Sequence, residues 1–215
     1  MKTDGKLLTL SLLSLAGTAA AYFFLPETIP LHWNAVGDID SRGPRLNVFW
    51  MGALPLLTLA LLHYLPAIDP RRDSYAKHEK AYGAFKAITV LFLIALTWID
   101  IAVSLGAKLD VSALVRVGTG ILFIVLGNYL GQIRPNYFVG IKTPWTLASE
   151  EVWRKTHRRG AYVFIAMGFI YIASLALPPG NLLFAVDMGA VLAGVGYLVV
   201  YSYVEYRRVT GPKAE

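Results

Sequence analysis

Six runs of mostly apolar residues restrict the fold of this chain more than any other feature. They lie at 7–25, 48–65, 87–106, 111–133, 161–177 and 182–203. A helix rises about 1.5 Å per residue, so about 20 apolar residues carry it across the hydrocarbon core of a bilayer. Lipid offers the backbone no hydrogen-bond partners, so each run must bond internally as a helix. Six spans use up most of the 215 residues. The expectation is an all-α integral membrane protein, a single six-helix domain over 1–215 with no sizeable soluble part. Charged residues are only 16% of the chain, against about a quarter in soluble domains, and they bunch between the runs. A secretory signal peptide competes for the first run, because Ala19, Ala20 and Ala21 are small. That run is longer than a signal core and continues into Tyr22-Phe23-Phe24-Leu25, an aromatic end suited to a membrane interface.

The basic residues give the spans a direction. Lys2, Lys6, Arg71, Arg72, Lys77, Lys80, Lys86, Arg134, Lys142, Arg154, Lys155, Arg158, Arg159, Arg207, Arg208 and Lys213 all fall on one side. Arg42, Arg45 and Lys108 fall on the other, and Arg116 lies within a span. The positive-inside rule then places both ends of a multi-pass membrane protein in the cytoplasm. The net charge of +6 matches anionic lipid headgroups as the partner, without nucleic acid. Cysteine is absent, which removes disulfides and thiolate chemistry.

The outer loop, 26–45, is dense in residues with special roles. Pro30 fixes backbone angles, Asn34 and Gly37 suit tight turns, and Trp33 suits an interface. A compact hydrogen-bonded cap is the plainest expectation. Glu27, His32, Asp38 and Asp40 are weak candidate metal ligands by chemistry, although their spacing matches no firm signature. Pro30, His32, Trp33, Asn34 and Asp40 are also candidate ligand-binding residues.

Three charges lie inside spans, where an ionisable group points to function by default. Asp100 is six residues before Gly106, Arg116 five after Val111, and Asp187 six after Asn181. Each therefore sits roughly 8–9 Å below the outer end of its helix. The shared level predicts one cluster, with Arg116 bridging the two carboxylates. A structural ion network, a wet outer vestibule and an ion pathway are the competing uses. Pro55, within the second span, is expected to kink that helix.

On the inner side, loops at 66–83 and 134–160 carry the charge. Thr143-Pro144 reads as a helix start, with Thr143 as N-cap and proline at the first position. Trp145, Ala148, Val152 and Thr156 would then share one face. Glu150 with Arg154, and Glu151 with Lys155, are favourable i,i+4 pairs. The expectation is a short amphipathic helix on the inner membrane surface, between the fourth and fifth spans.

Gly127-Asn128, the run from Arg134 to Leu147, Glu151-Val152-Trp153 and Thr156-His157 resemble the signature of the SdpI family of bacterial membrane immunity proteins. Pro30-Leu31-His32-Trp33-Asn34, with Gly37 and Asp40, resembles a domain of unknown function that often precedes that signature. The resemblance implies immunity against a secreted toxin peptide, with a cytoplasmic repressor as a further partner in some relatives. It carries over to Asn128, Arg134, Asn136, Gly140, Thr143, Pro144, Trp145, Glu151, Trp153 and His157, as partner-binding rather than catalytic positions. The resemblance also implies a multi-pass location in a bacterial plasma membrane, and it implies no cofactor. A small-molecule or ion transporter and a membrane-embedded metal-dependent enzyme are the alternatives. The enzyme would use His32 with the outer carboxylates, or His157 with Glu151; the last two are six residues apart and not neighbours on a straight helix.

Overall fold

A computed structural model describes residues 2–34, 37–178 and 180–211. Pro179 and Lys213 lie outside them. Seven α-helices are described: α1 (Lys2–Tyr22), α2 (Val48–Ile68), α3 (Glu79–Ser104), α4 (Val111–Leu130), α5 (Pro144–Ala148), α6 (Glu150–Ala173) and α7 (Asn181–Thr210). Helices α1, α2 and α3 pack together, α3 packs on α4, and α6 packs between α4 and α7.

The helices containing α2, α3, α4, α6 and α7 are long and apolar enough to cross a membrane. Helix α1 is not among them. Lys6 and the hydroxyls of Thr9, Ser11, Ser14 and Thr18 dilute its apolar character. Ser11, Ser14 and Thr18 are buried against the neighbouring helices rather than lipid, and the Trp98 indole donates to Ser14 Oγ at 3.0 Å. The protein is thus a mostly helical, multi-pass membrane protein.

Of the expected architecture, one part is given a definite form and another is corrected. The compact hydrogen-bonded cap expected over 26–45 takes a regular form that the sequence reading did not specify. It is an antiparallel β-hairpin of β1 (Thr28–Trp33) and β2 (Ile39–Pro44), with register shifts on either side of His32. Ile29 anchors it, fully buried against Leu25, Val48 and Ile101. The short helix expected from Thr143-Pro144 is present as α5, but it does not continue through Val152 and Thr156. The five-residue α5 stops at Ala148, Ser149 is extended, and α6 then runs unbroken from Glu150 into the membrane-crossing segment. Val152 and Thr156 are completely buried in α6. The break arises because Ser149 serves as N-cap of α6, accepting from Val152 N–H at 3.4 Å. Glu150 and Glu151 in the first turn favour the same start through the helix dipole.

Helix α2 continues through both Pro55 and Pro66. A proline has no N–H for the carbonyl four residues earlier. Two side chains of α3 supply the missing donors. The Thr97 hydroxyl lies 3.1 Å from Met51 O and is shared with Leu93 O, and the Tyr82 hydroxyl donates to Leu62 O. Both carbonyls freed by proline are therefore served from the neighbouring helix, as a low-dielectric surrounding demands. Helices α4 and α6 pack tightly at glycines. A Cβ at Gly120 would stand 2.8 Å from the Gly168 carbonyl oxygen, so this contact requires small residues.

Candidate functional sites at the two ends

The hairpin end holds a cavity of about 440 Å³. Leu31, His32, Trp33 and Asn34 of the hairpin form one side. Val115 and Arg116 of α4, Tyr171 of α6, and Phe184, Asp187 and Met188 of α7 are among the residues on the other sides. The hairpin is held open by its turn: Asn34 Oδ1 accepts from Asp38 N–H at 2.9 Å, and Gly37 N–H donates to Asn34 O at 3.0 Å. Gly37 has φ +91°, and a Cβ there would press on Ser112 of α4. The turn thus rests on the start of α4, which Asp110 caps by accepting from Ala113 N–H at 2.9 Å.

At the base of this cavity Arg116 Nε donates to Asp187 Oδ2 at 2.8 Å, and the guanidinium also contacts Ser112 Oγ. Both side chains of the ion pair are about nine-tenths buried. Asp187 Oδ1 is buried and has no hydrogen-bond partner. The pairing of Arg116 with Asp187 agrees with the shared level in the sequence. Asp100 does not join them. It is buried in α3, and neither carboxylate oxygen has a partner. Residue counting fixes depth along a helix but not the neighbours it faces. Helix α3 packs on α1, α2 and α4, whereas α7 packs on α6.

The candidate metal ligands do not gather. His32 Nδ1 and Asp40 Oδ1 are 2.6 Å apart in an exposed pair, while Glu27 and Asp38 are exposed. Among the described residues no three His, Asp or Glu side chains are arranged to hold an ion.

The opposite end is organised around a buried polar network in the 134–143 segment. Asn136 is fully buried. Its amide donates to Arg134 O and Val139 O, each at 2.9 Å. Its carbonyl accepts from Phe138 N–H at 2.9 Å and Val139 N–H at 2.7 Å. One side chain thus fixes the whole turn. Beside it, Asp69 accepts from Arg71 N–H at 2.7 Å, Tyr75 Oη at 2.8 Å and Tyr137 N–H at 3.0 Å. Arg134 N–H donates to His78 Nδ1 at 3.3 Å.

His157 locks the next stretch. It is buried and stacked on Trp153, with centroids 4.0 Å apart. Its Nε2 accepts from Ile141 N–H at 3.0 Å, and its Nδ1 lies 2.8 Å from Trp153 O. A carbonyl only accepts, so Nδ1 carries the proton and the ring is the neutral Nδ1–H tautomer, assigned from this network. Gly140, with φ +118°, faces the same ring, and a Cβ there would collide with Nε2. The Trp153 indole donates to Ile133 O at 2.8 Å. Thr143 and Thr146 form a capping box with Pro144 at the first turn, and Thr143 Oγ1 is 3.0 Å from Ser202 Oγ of α7. Trp145 packs on Tyr203 at 5.0 Å. Of the expected ion pairs, Glu151–Lys155 is present at 3.0 Å.

The structure therefore unites Asn136, Gly140, Thr143, Pro144, Trp145, Trp153 and His157 in one folded unit. Asn128 is exposed on α4, outside it. Arg134 and Glu151 instead line a cavity of about 500 Å³, with Lys77, Glu150 and Arg154 around a Trp153 wall. Sequence reasoning missed Asp69, Tyr75 and His78. Asp69-Pro70 at a helix end was the available signal, since an aspartate before proline favours turn initiation.

Residues 132–204 match the SdpI/YfhL protein family, and residues 9–59 match a domain of unknown function, DUF1648. Over 201 residues, 94% of each chain, the sequence is 26% identical to Immunity protein SdpI of Bacillus subtilis (strain 168). No solved structure matches.

Proposed function

We propose that this chain, a member of the SdpI family, confers immunity by binding a secreted toxin peptide at the outer face of the bacterial plasma membrane. In this reading α1 completes six spans, both chain ends are cytoplasmic, and the hairpin faces outward. The charge asymmetry supports that orientation. One observation carries the binding role. The cavity under the hairpin has an apolar wall of Trp33, Phe184 and Met188, and Asp187 at its base keeps one buried oxygen without a donor. Such a cavity suits an apolar peptide that brings an N–H or cationic group, since an unmatched buried acceptor is costly until it is paired.

The direct test is survival. The chain is expressed in a strain sensitive to a secreted killing peptide, alongside Trp33→Ala and a Phe184→Ala, Met188→Ala double variant. Protection by the parent and its loss in surface-expressed variants is the expected result. Survival of the parent no better than with an empty vector counts against immunity to that peptide. Toxin-independent solute flux in liposomes would favour a transporter instead.

A second role, docking of a cytoplasmic regulator, is favoured by the cavity at the opposite end, where Arg134, Arg154, Glu150 and Glu151 present both signs of charge. Crosslinking from position 154 in living cells, with and without toxin, tests it. A regulator captured equally from an Arg134→Glu, Arg154→Glu variant would refute that surface.

A further inference from the structure

We infer that α6 and α7 form a specific site for the phosphate headgroup of an anionic phospholipid, apart from both sites above. A cavity of about 410 Å³ opens between the two helices at the basic end. Lys155, Arg158, Arg159 and Arg208 line it. Buried Glu205 holds Lys155 at 3.2 Å and Arg208 at 3.1 Å, and Glu151 also engages Lys155. Four cations thus meet two carboxylates, leaving two positive charges in surplus. The surplus belongs to Arg158 and Arg159, neither of which has a carboxylate partner among the described residues. Arg159 lies over the Tyr201 ring at 5.5 Å, which fixes its position.

The surroundings favour a lipid over a soluble anion. Tyr162, 71% exposed, lines the same cavity, and Tyr197 stands 5.9 Å from Tyr201. Tyrosines at this level are the usual anchors of a membrane interface. Away from the basic end, α6 presents exposed Phe169, two turns on from Tyr162 along the same face. A phosphate placed between Arg158 and Arg159 leaves its acyl chains along that apolar face. Basic pockets between helices on the cytoplasmic side hold lipid headgroups in this way.

The test uses the full chain, purified in a neutral detergent. Thermal unfolding and lipid retention by native mass spectrometry are followed with added phosphatidylglycerol, phosphatidylcholine or inorganic phosphate. Phosphatidylglycerol is expected to raise the melting temperature and stay bound, while the other two do neither. Arg158→Gln, Arg159→Gln should weaken that binding roughly thirtyfold, whereas a control that removes two other basic charges, Arg72→Gln, Lys80→Gln, keeps it. If the double variant does not fold, Arg158→Gln alone is measured, because that side chain is exposed and has no carboxylate partner among the described residues. Equal stabilisation by phosphatidylcholine, an unchanged shift in the Arg158/Arg159 variant, or the same loss in the control overturns the site. A full effect of inorganic phosphate overturns the assignment to lipid.

Discussion

Gly140 leaves the space that the His157 ring occupies, and it does so with a backbone φ of +118°. The two residues are 17 apart in sequence, yet each sets the other's identity. Gly140→Ala meets both a strained backbone and the imidazole Nε2, and should cost about 2–5 kcal/mol. Thermal unfolding in detergent measures this. Adding His157→Ala should recover the collision part but not the backbone part, so the two changes are expected to be non-additive.

The α2 prolines make a second prediction through a cycle of variants. Tyr82→Phe leaves Leu62 O without its donor, and should destabilise by about 1–3 kcal/mol. Pro66→Ala restores a backbone N–H, so Tyr82→Phe should cost clearly less in that background. Thr97→Val with Pro55→Ala gives the matching test at Met51 O. Equal costs with and without the prolines would show that the hydroxyls serve some other purpose.

Removing one partner of the Arg116–Asp187 pair strands the other as a buried charge. Arg116→Ala should therefore cost about 3–5 kcal/mol, while Arg116→Ala, Asp187→Ala together should be far milder. The double variant separates stability from activity. It is expected to reach the membrane in normal amounts but to lose protection against toxin. Retained protection would assign the pair a purely structural role.

Asn136→Ala removes the side chain that makes four of the hydrogen bonds within the 134–139 turn. Proteolysis of inside-out vesicles should then cut this segment readily, whereas the parent resists. Unchanged cleavage would mean that Asp69 and His157 hold the loop without it.

Orientation is open to labelling because the chain has no cysteine. Ser41→Cys should react with an impermeant maleimide on intact cells. Lys6→Cys and Thr210→Cys should react only after permeabilisation. Labelling of Lys6→Cys from outside would remove α1 from the set of spans.

Much of this was legible along the chain where the physics is local. Thr143 announces a helix start by capping, and the depth of Arg116 and Asp187 follows from residue counting. What was not legible depends on partners far away in sequence. Asp69 meets Tyr137 across 68 residues, and nothing near either predicts it. Asp100 has the depth of Arg116 by residue counting, yet neither of its carboxylate oxygens has a hydrogen-bond partner. The hairpin was hidden because Pro30 interrupts the strand pattern and the register shifts at His32 blur its alternation.

The two hydroxyls that serve α2 bear on how the chain is made. Alone in lipid, α2 would display two bare carbonyls, and their donors arrive only when α3 has been synthesised. The smallest piece that can settle in the membrane without unsatisfied backbone is therefore the α2–α3 pair. Synthesis arrested between the two helices should leave α2 waiting at the insertion machinery, and its release into lipid should depend on Tyr82 and Thr97 having emerged.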